Sequence, residues 1–426
     1  MILTTFLVAL LGSMAIGIPI AFALLISAAA LMWQLDMFDA QILAQNLING
    51  ANSFPLLAVP FFMLAGEIMT VGGLSRRIVD FALVLVGHVR GGLGYVTIIT
   101  ACLMAALSGS AVADAAAMTA LLLPMMTAAG HDKKQAAGLI ASAGIIAPVI
   151  PPSIGLIIFG VSANVSISKL FLAGIFPGLL MGAALWCTWA WLMRREKHLT
   201  PAPRKSLREV LRAAREGIWA LGMPVIIVVG LRLGVFTPTE AAVVAAVYAL
   251  FVSTVIYREM SWRDLYRVFY NSAKVSAIIM LLVAAAMVSA WLITVAGLPD
   301  RMVDLLEPLI GDPMLLMITA MVLVVLVGTA MDMTPTILIL TPVLMPAVKA
   351  AGIDPVYFGV LFIINNAIGL ITPPVGTVLN TVAGVGRLSM DDTTRGALPF
   401  LAAQLVVLFL LVLFPDIVLI PAHWLY

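Results

Sequence analysis

The stretch LITPPVGT, residues 370–377, places two consecutive prolines inside a long apolar run. Proline lacks a backbone N–H and disfavours the helical conformation of the residue before it, so the run cannot continue as one regular helix. The stretch VIPPSIGL, residues 149–156, contains the same interruption, and 222 positions separate Pro151 from Pro373. The recurrence of one unusual break predicts a chain built from two related halves, each with a broken helix.

The composition places both breaks in a membrane. The chain has 426 residues, of which 63% are hydrophobic and 10% are charged, and its mean hydropathy is +1.14. A soluble domain carries about 25% charged residues. Apolar runs close to the ~20 residues that a spanning helix needs recur along the whole chain. We therefore predict an all-α integral membrane protein.

The chain offers no obvious set of residues for enzymatic or metal chemistry. Its two cysteines lie far apart in apolar segments, and its four histidines lie near segment ends without a paired acid or nucleophile. We therefore predict no catalytic residue, no cofactor and no nucleic-acid partner.

Two further pairs of segments repeat in the same order. TVGGLSRRIVD (70–80) aligns with TVAGLPDRMVD (294–304) at an offset of 224, and PMMTAAGHD (124–132) aligns with PAVKAAGID (346–354) at an offset of 222. The second offset also superimposes the two double prolines. An ordered series of this kind predicts a duplication. The predicted segments are a first repeat over 1–195, a basic cytoplasmic linker over 196–216 and a second repeat over 217–426.

Each repeat is predicted to contain the same series of elements. Apolar segments near spanning length give about ten full transmembrane helices, five per repeat. The third of these spans is expected over 54–72 in the first repeat and over 274–296 in the second. The amphipathic stretches 75–91 and 299–312 suit arm helices that lie along the interface. Apolar pairs with small polar tips predict re-entrant hairpins over about 92–129 and 314–350, followed by broken helices over about 138–160 and 357–381.

The distribution of basic residues predicts that the second repeat is inverted in the membrane. An odd number of spans per repeat turns the second repeat upside down relative to the first. With the linker in the cytoplasm, all but four of the 23 lysines and arginines fall on the cytoplasmic side, as the positive-inside rule requires. The four exceptions are Lys169, Arg232, Arg301 and Lys349. Both chain termini are then predicted to be periplasmic.

Broken helices at membrane depth predict a binding site. Irregular backbone survives there only when it is buried in protein or lines a polar cavity, and paired breaks in inverted repeats are typical of ion-coupled secondary transporters. We predict one sodium ion between each hairpin tip and the following break; the alternative is a kink filled by neighbouring side chains. The predicted sodium ligands are Ser108, Gly109, Ser110, Ala147, Ile150 and Ser153 at the first site, and Gly328, Thr329, Asp332, Gly369, Thr372 and Val375 at the second.

Several polar residues near the breaks have two interpretations. Asp114 and Asp332 follow the tips, where a carboxylate either contacts an ion or caps the next helix. Asn365 and Asn366 precede the second break and either face substrate or link helices. The residues predicted to contact substrate are Asn365, Asn366, Asp114, Pro152 and Pro374.

Six motifs follow one another along the chain: GIPIAFAL (17–24), PFFMLAGEIM (60–69), SGSAVADAAA (108–117), PPSIG (151–155), FTPTEAA (236–242) and ITPPVG (371–376). In this order they resemble the large membrane subunit of tripartite ATP-independent periplasmic (TRAP) transporters, and the resemblance covers essentially the whole chain.

The resemblance implies a bacterial or archaeal inner-membrane importer that couples organic-anion uptake to sodium by an elevator motion. C4-dicarboxylates and sialic acids are among the substrates of that family. The hairpins and broken helices would form the moving transport domain, and the arm helices would belong to the surrounding scaffold. Two partners are implied, a small four-helix membrane subunit (Q type) and a periplasmic substrate-binding protein (P type). The sodium ligands named above carry over.

Three other functions compete with this interpretation. A divalent-anion/sodium symporter that acts alone has a similar fold and needs no binding protein. A membrane-embedded enzyme needs converging titratable groups, and the only dense charge cluster is the basic linker, whose distribution suits a role in setting topology. A channel is disfavoured, because re-entrant tips paired with broken helices suit an occluded site.

Overall fold

The computed structural model describes residues 2–196 and 203–425, together with all side chains in these ranges except those of Ile2, Leu3, Asp300, Met302 and Leu305. Every regular element in these ranges is helical. The predicted all-α class is therefore confirmed. Residues 197–202, in the middle of the predicted linker, lie outside the described residues.

The described residues of the predicted first repeat form ten α-helices. They are α1 (Ile2–Ala15), α2 (Ile20–Gln34), α3 (Ala40–Ala51), α4 (Ala58–Val71), α5 (Leu74–Val86), α6 (Gly92–Ser108), α7 (Ala111–Ala128), α8 (Lys133–Gly144), α9 (Ile154–Ala163) and α10 (Ile167–Met193). A short 3-10 turn, Phe54–Leu57, precedes α4.

The second repeat follows the same order. Its helices are α11 (Leu207–Arg232), α12 (Pro238–Phe251), α13 (Trp262–Val295), α14 (Leu298–Ile310), α15 (Pro313–Gly328), α16 (Met333–Ala350), α17 (Pro355–Gly369), α18 (Thr377–Gly386), α19 (Met390–Leu413) and α20 (Asp416–Leu425). A π-helical turn, Val252–Ile256, extends α12. Helices α15 to α19 thus repeat α6 to α10.

One helix of the first repeat was not predicted. Helix α13 has 34 residues and starts well before the expected span, and at the offset of 224 it corresponds to α3 and α4 taken together. In the first repeat Pro55 interrupts this long helix, because proline cannot donate the helical hydrogen bond, whereas Ile279 stands at the equivalent position. Helix α3 is short and partly polar, capped by Asp39, and was therefore missed.

The two ends of the second repeat also differ from expectation. Helix α11 begins at Leu207, inside the predicted linker, where Ser206 and Glu209 form a reciprocal capping box. A capping box satisfies two otherwise unpaired N–H groups and therefore favours a helix start. Helix α20, after the predicted final span, was not expected.

Eight stretches of helix among the described residues are long and apolar enough to cross a membrane. They are Phe54–Val71, α7, α10, α11, Pro238–Ile256, α13, α16 and α19. The set includes α7 and α16, the second arm of each predicted re-entrant hairpin. The chain is therefore a multi-pass membrane protein, and the count of about ten full spans stays a prediction.

The broken helices lie at the centre of the fold. Every residue from 136 to 160 is buried, and so is every residue from 356 to 371. The backbone polar groups freed by the first break are consequently shielded from lipid, as irregular backbone in a membrane requires. In the second break, Pro373, Pro374 and Val375 are exposed, so only the helix that leads into it is buried.

A close backbone contact between the repeats holds α8 against α19. A Cβ atom added at Gly396 would lie 1.9 Å from the carbonyl oxygen of Lys134, and one added at Gly138 would lie 2.0 Å from the carbonyl carbon of Gly396. Both obstacles are backbone atoms, which cannot rotate away. Only glycine therefore allows this approach.

Gly396→Ala is expected to lower thermal stability. The added methyl group must push α19 off α8, and overpacking of this kind costs about 1–3 kcal/mol. The melting temperature of the purified protein in detergent measures the effect. Gly384→Ala is the matched control, since no atom lies within 4 Å of its added Cβ. Equal melting temperatures for the two variants would contradict the packing argument.

Candidate functional site

The first hairpin tip is a compact polar turn between α6 and α7. Gly109 makes the turn in the left-handed region, with φ of +62°. The hydroxyl of Ser108 donates to Oδ1 of Asp114 at 2.5 Å and accepts from the backbone N–H of Ser110 at 3.2 Å. The hydroxyl of Ser110 accepts from the N–H of Ala113 at 3.4 Å, which makes Ser110 the cap of α7.

Asp114 is therefore not a helix cap. Its side chain is 2% exposed, and its Oδ2 atom has no hydrogen-bond partner among the described residues. A buried carboxylate with a free oxygen is costly unless a positive charge compensates it. The geometry thus favours ion contact over capping.

The first break separates α8 from α9. It contains a cis peptide bond between Pro151 and Pro152. The hydroxyl of Ser153 donates to the carbonyl of Pro148 at 2.5 Å and accepts from the N–H of Leu156 at 3.1 Å, so it caps α9.

Two carbonyl oxygens of this break remain available. Those of Ala147 and Ile150 accept no hydrogen bond from any described residue. Free carbonyl dipoles of this kind, buried in the fold, are suited to a hard cation. Both residues belong to the predicted sodium ligands of the first site.

The first tip rests directly on the first break. A Cβ atom at Gly109 would lie 2.4 Å from the carbonyl oxygen of Pro152 and 3.1 Å from Cα of Ser153. At the start of the break, a Cβ at Gly144 would lie 2.8 Å from that of Ala115 in α7. The predicted pairing of tip and break is therefore present in the structure.

The second tip, between α15 and α16, is joined to its break by backbone contacts. The N–H of Val375 donates to the carbonyl of Thr329 at 3.3 Å. A Cβ atom at Gly369 would lie 2.8 Å from the carbonyl carbon of Gly328. Like the first, this break contains a cis bond, between Pro373 and Pro374.

Asp332 does not cap α16. It occupies the N-cap position, yet its carboxylate bonds no N–H of the helix. It accepts instead from the hydroxyl of Thr377 in α18, at 3.5 Å. The carboxylate is exposed and thus faces the second half of the broken helix.

The other predicted groups at the second site differ in whether their oxygen atoms already accept a hydrogen bond. The Thr372 hydroxyl donates to the carbonyl of Ile368 at 2.8 Å and accepts no hydrogen bond from the part of the chain that the structure describes. The carbonyl of Val375 already accepts from the side-chain amide of Asn380 at 2.7 Å. Thr377 and Asn380 were not predicted as site residues. Their hydroxyl and amide side chains, three positions apart just after the break, could have indicated them.

Asn365 and Asn366 link helices. Both are fully buried, and their amide groups donate to the carbonyls of Met321 (2.5 Å) and Met333 (3.1 Å), respectively. The helix-linking alternative is therefore present in the structure. The Oδ1 atoms of both have no partner among the described residues, and that of Asn366 would lie 3.2 Å from a Cβ at Gly328. Asn366 thus presents a free oxygen to the second tip.

The two breaks differ in accessibility. Pro151 and Pro152 are buried, whereas Pro373 and Pro374 are exposed and Val375 is 39% exposed. Among the five residues predicted to contact substrate, only Pro374 is exposed; Asp114, Pro152, Asn365 and Asn366 are buried. The structure therefore does not gather these five residues on one open surface.

Comparison with known proteins identifies the family. Residues 7–417 match the family model described as the DctM component of the tripartite ATP-independent periplasmic transporter. The chain is 59% identical over 419 residues to the 2,3-diketo-L-gulonate TRAP transporter large permease protein YiaN of Escherichia coli (strain K12), covering 98% of each chain.

More distant relatives carry related names. The chain is 38% identical over 410 residues to the sialic acid TRAP transporter large permease protein SiaM of Vibrio cholerae, covering 96% of each. It is 38% identical over 383 residues to the C4-dicarboxylate TRAP transporter large permease protein DctM of Pseudomonas aeruginosa, covering 90% of each.

A solved structure shares the fold. The YdaH transporter of Alcanivorax borkumensis superimposes with a TM-score of 0.68 at 16% sequence identity, over 89% of this chain and 90% of that one. This likeness supports the helical architecture alone. The family match and the relatives decide the identity, and the chain belongs to the DctM family as the large membrane subunit of a TRAP transporter.

Proposed function

We propose that this chain is the transport subunit of a sodium-coupled importer of organic anions. The observation that carries the proposal is the docking of each hairpin tip on the break of its own repeat, once at Gly109 and once at Gly369. Paired breaks of this kind bind substrate and coupling ion in secondary transporters. The importer works by an elevator motion of the hairpins and broken helices.

Each site offers oxygen atoms to a sodium ion. At the first site these are the tip hydroxyls of Ser108 and Ser110 and the free carbonyls of Ala147 and Ile150. Gly109 and Ser153 are the remaining ligands that we assign to this site. At the second site the predicted ligands are Gly328, Thr329, Asp332, Gly369, Thr372 and Val375. Oδ1 of Asn366 joins them, because it has no donor among the described residues. Hydroxyl, carbonyl and carboxylate oxygens are the ligands that hard cations prefer.

The same breaks favour an anionic substrate. Helices α9 and α18 begin at the breaks, so their N-termini point toward the sites. A helix N-terminus carries about half a positive charge and attracts carboxylates. The names of the relatives include a C4-dicarboxylate, a sialic acid and a diketo sugar acid, and we assign this chain a substrate of the same organic-acid class.

Contacts between the repeats support the inverted topology. Arg77 pairs with Glu259 at 2.7 Å, and Lys134 pairs with Asp392 at 2.7 Å. All four residues belong to segments predicted to be cytoplasmic. Two hydrogen bonds join segments predicted to be periplasmic. One connects the repeats, from Thr239 to the carbonyl of Phe54 (3.3 Å), and the other lies within the second repeat, from Arg232 to the carbonyl of Trp424 (3.3 Å).

The family context supplies the location and the partners. We place the chain in the inner membrane of a bacterium or archaeon, with periplasmic termini. TRAP large subunits generally work with a small membrane subunit and a periplasmic binding protein. We infer that both partners act here, and that the binding protein delivers the anion to the periplasmic face.

Uptake by proteoliposomes tests the proposal. They would contain this subunit and its small partner, with purified binding protein outside. An inward sodium gradient should drive accumulation of the anion, and replacing sodium by choline should stop it. Uptake that is indifferent to sodium would overturn the coupling, and uptake without binding protein would indicate a symporter that acts alone.

Ser110→Ala and Thr372→Ala are expected to raise the sodium concentration for half-maximal uptake. Each removes one ligand oxygen, and a lost polar contact of this kind is worth about tenfold. Sodium titration of uptake at fixed substrate measures the change. Thr319→Ala is the control, because its hydroxyl bonds the carbonyl four residues earlier at 2.8 Å as Thr372 does, but within α15 away from the tip. Unchanged sodium dependence in both site variants would remove these residues from the sites.

A further inference from the structure

The two repeats contact the scaffold differently. Helix α16, the second arm of the second hairpin, packs against α13 and α14. Its repeat counterpart α7 makes no comparable contact with α4 or α5 among the described residues. Two inverted repeats with similar sequences would form equivalent contacts in a symmetric molecule. The first hairpin instead contacts α4 and α5 through its first arm, α6, so the two hairpins lie differently against the scaffold.

Two cavities reflect this difference. The first, of about 710 Å³, is an open cavity between α16, which contributes Lys349, and the scaffold residues Trp291 and Thr294 of α13. The second, of about 580 Å³, is lined by Thr127 of α7 and by residues at the end of α18, without a residue from α4. At the offset of 222, Thr127 corresponds to Lys349. The second cavity is thus the counterpart of the first without its scaffold wall.

Helix α4 is the counterpart of the part of α13 that lines the first cavity. At the offset of 224, Trp291 and Thr294 correspond to Glu67 and Thr70. The neighbouring Gly66 already touches the first hairpin, because a Cβ there would lie 3.2 Å from Cα of Ser108. This part of α4 is therefore beside the moving helices.

The charges on the two surfaces are complementary. Glu67 is partly buried and forms no ion pair with any described residue. Lys133 and Arg387 line the second cavity, and no acidic residue lines it among those described. Lys133 donates to the carbonyl of Arg387 at 3.5 Å, and neither base has a carboxylate partner in the described chain. An unpaired carboxylate in a membrane is costly, so a partner in another state is favoured.

We propose that Glu67 is a positioning residue, which enters the second cavity in the alternate state of the transporter and pairs there with Lys133 and Arg387. When the two repeats exchange their conformations, α7 packs against α4 in the way that α16 packs against α13 in the present structure. The ion pair then stabilises this alternate state, while Trp291 occupies the equivalent place in the present one. The inference rests on the proposed transport function, because it requires alternation between two states.

Cross-linking measures the populations of the two states. Both native cysteines, Cys102 and Cys187, are first replaced by alanine. Cysteines at Thr70 and Thr127 then report the alternate state, and cysteines at Thr294 and Lys349 report the present one. The full complex in proteoliposomes is treated with a short flexible bismaleimide, without substrate, and the yields of the two pairs are compared.

Glu67→Gln should lower the ratio of alternate to present cross-link by about fivefold, as expected for the loss of one ion pair. Arg387→Gln should lower it similarly, and the double variant should add little, because both remove the same contact. Glu216→Gln, on the surface of α11 and paired with Arg212, should leave the ratio unchanged.

Two results would overturn the inference. One is an unchanged ratio in both Glu67→Gln and Arg387→Gln; the other is the absence of any cross-link between the Thr70 and Thr127 positions at all sodium concentrations. Failure of the proposed function is seen separately. Uptake indifferent to sodium would reject the coupling while the cross-link ratio, measured without substrate, still responds to Glu67→Gln.

Discussion

Gly109→Ala is expected to abolish sodium-driven uptake. The residue has a φ of +62°, where a side chain costs about 1–2 kcal/mol, and its added Cβ would lie 2.4 Å from the carbonyl oxygen of Pro152. The obstacle is backbone in a fully buried break, so the tip itself must move. Displacing the tip separates the Ser108 and Ser110 hydroxyls from the carbonyls that would share their sodium ion. Initial uptake rates in proteoliposomes measure the loss.

Gly234→Ala separates the effect of backbone strain from the effect of the collision with the break. Gly234 has a φ of +68°, but no atom lies within 4 Å of its added Cβ. This variant therefore carries the backbone strain without the collision, and it should retain most of its uptake. Should both variants transport equally well, close docking of tip on break would be unnecessary for transport, and the first site would have to lie elsewhere.

Asp114→Asn is expected to weaken sodium affinity by at least about tenfold, since interactions with a charged group are worth roughly 1.5–3 kcal/mol. The carboxylate is 2% exposed and accepts from the Ser108 hydroxyl at 2.5 Å, and its second oxygen has no donor among the described residues. Asparagine preserves the shape and one acceptor while removing the negative charge. A cation in this low-dielectric setting loses its nearest compensating charge.

The effect of Asp114→Asn is measured by titrating sodium against uptake and against thermal stabilisation of the purified complex. Asp391→Asn serves as the control, because Asp391 is exposed and paired with Arg395 on the surface. If Asp114→Asn and Asp391→Asn bind sodium equally well, Asp114 serves only to order the tip, and the cation lies away from it.

The parts of the site that are local in sequence were readable in advance. The double prolines predicted the breaks, because proline removes a backbone donor wherever it occurs. The tips were visible as small polar residues between apolar arms, and Gly109 and Ser110 lie where this pattern placed them. The pairing of each tip with its break followed from their order in both repeats.

Contacts between residues that are distant in sequence could not be predicted from the sequence. Whether Asn366 links helices or faces a site depends on Met333 and Gly328, which lie in other helices. The partner of Asp332 is Thr377, and the alternative of helix capping had equal support in the sequence because both roles place aspartate at a helix start. Helix α3 was missed for a local reason, since its apolar pattern is too weak to distinguish from a loop.

The unequal accessibility of the two breaks was also hidden from the sequence. The motifs around Pro152 and Pro374 are similar, yet one is buried and the other exposed. A repeated motif predicts that the two breaks are equivalent, whereas the accessibility of each break depends on the helices that pack around it.

The central claim is that each tip and its break hold a sodium ion inside the fold. The most direct measurement is a high-resolution cryo-electron density map of the complete complex in lipid nanodiscs, recorded once in sodium and once in choline. The account predicts sodium-dependent density beside Gly109 and Ala147 and again beside Thr329 and Thr372. Maps that are identical in both salts, or that show Pro151 and Pro374 facing acyl chains away from the tips, would contradict it.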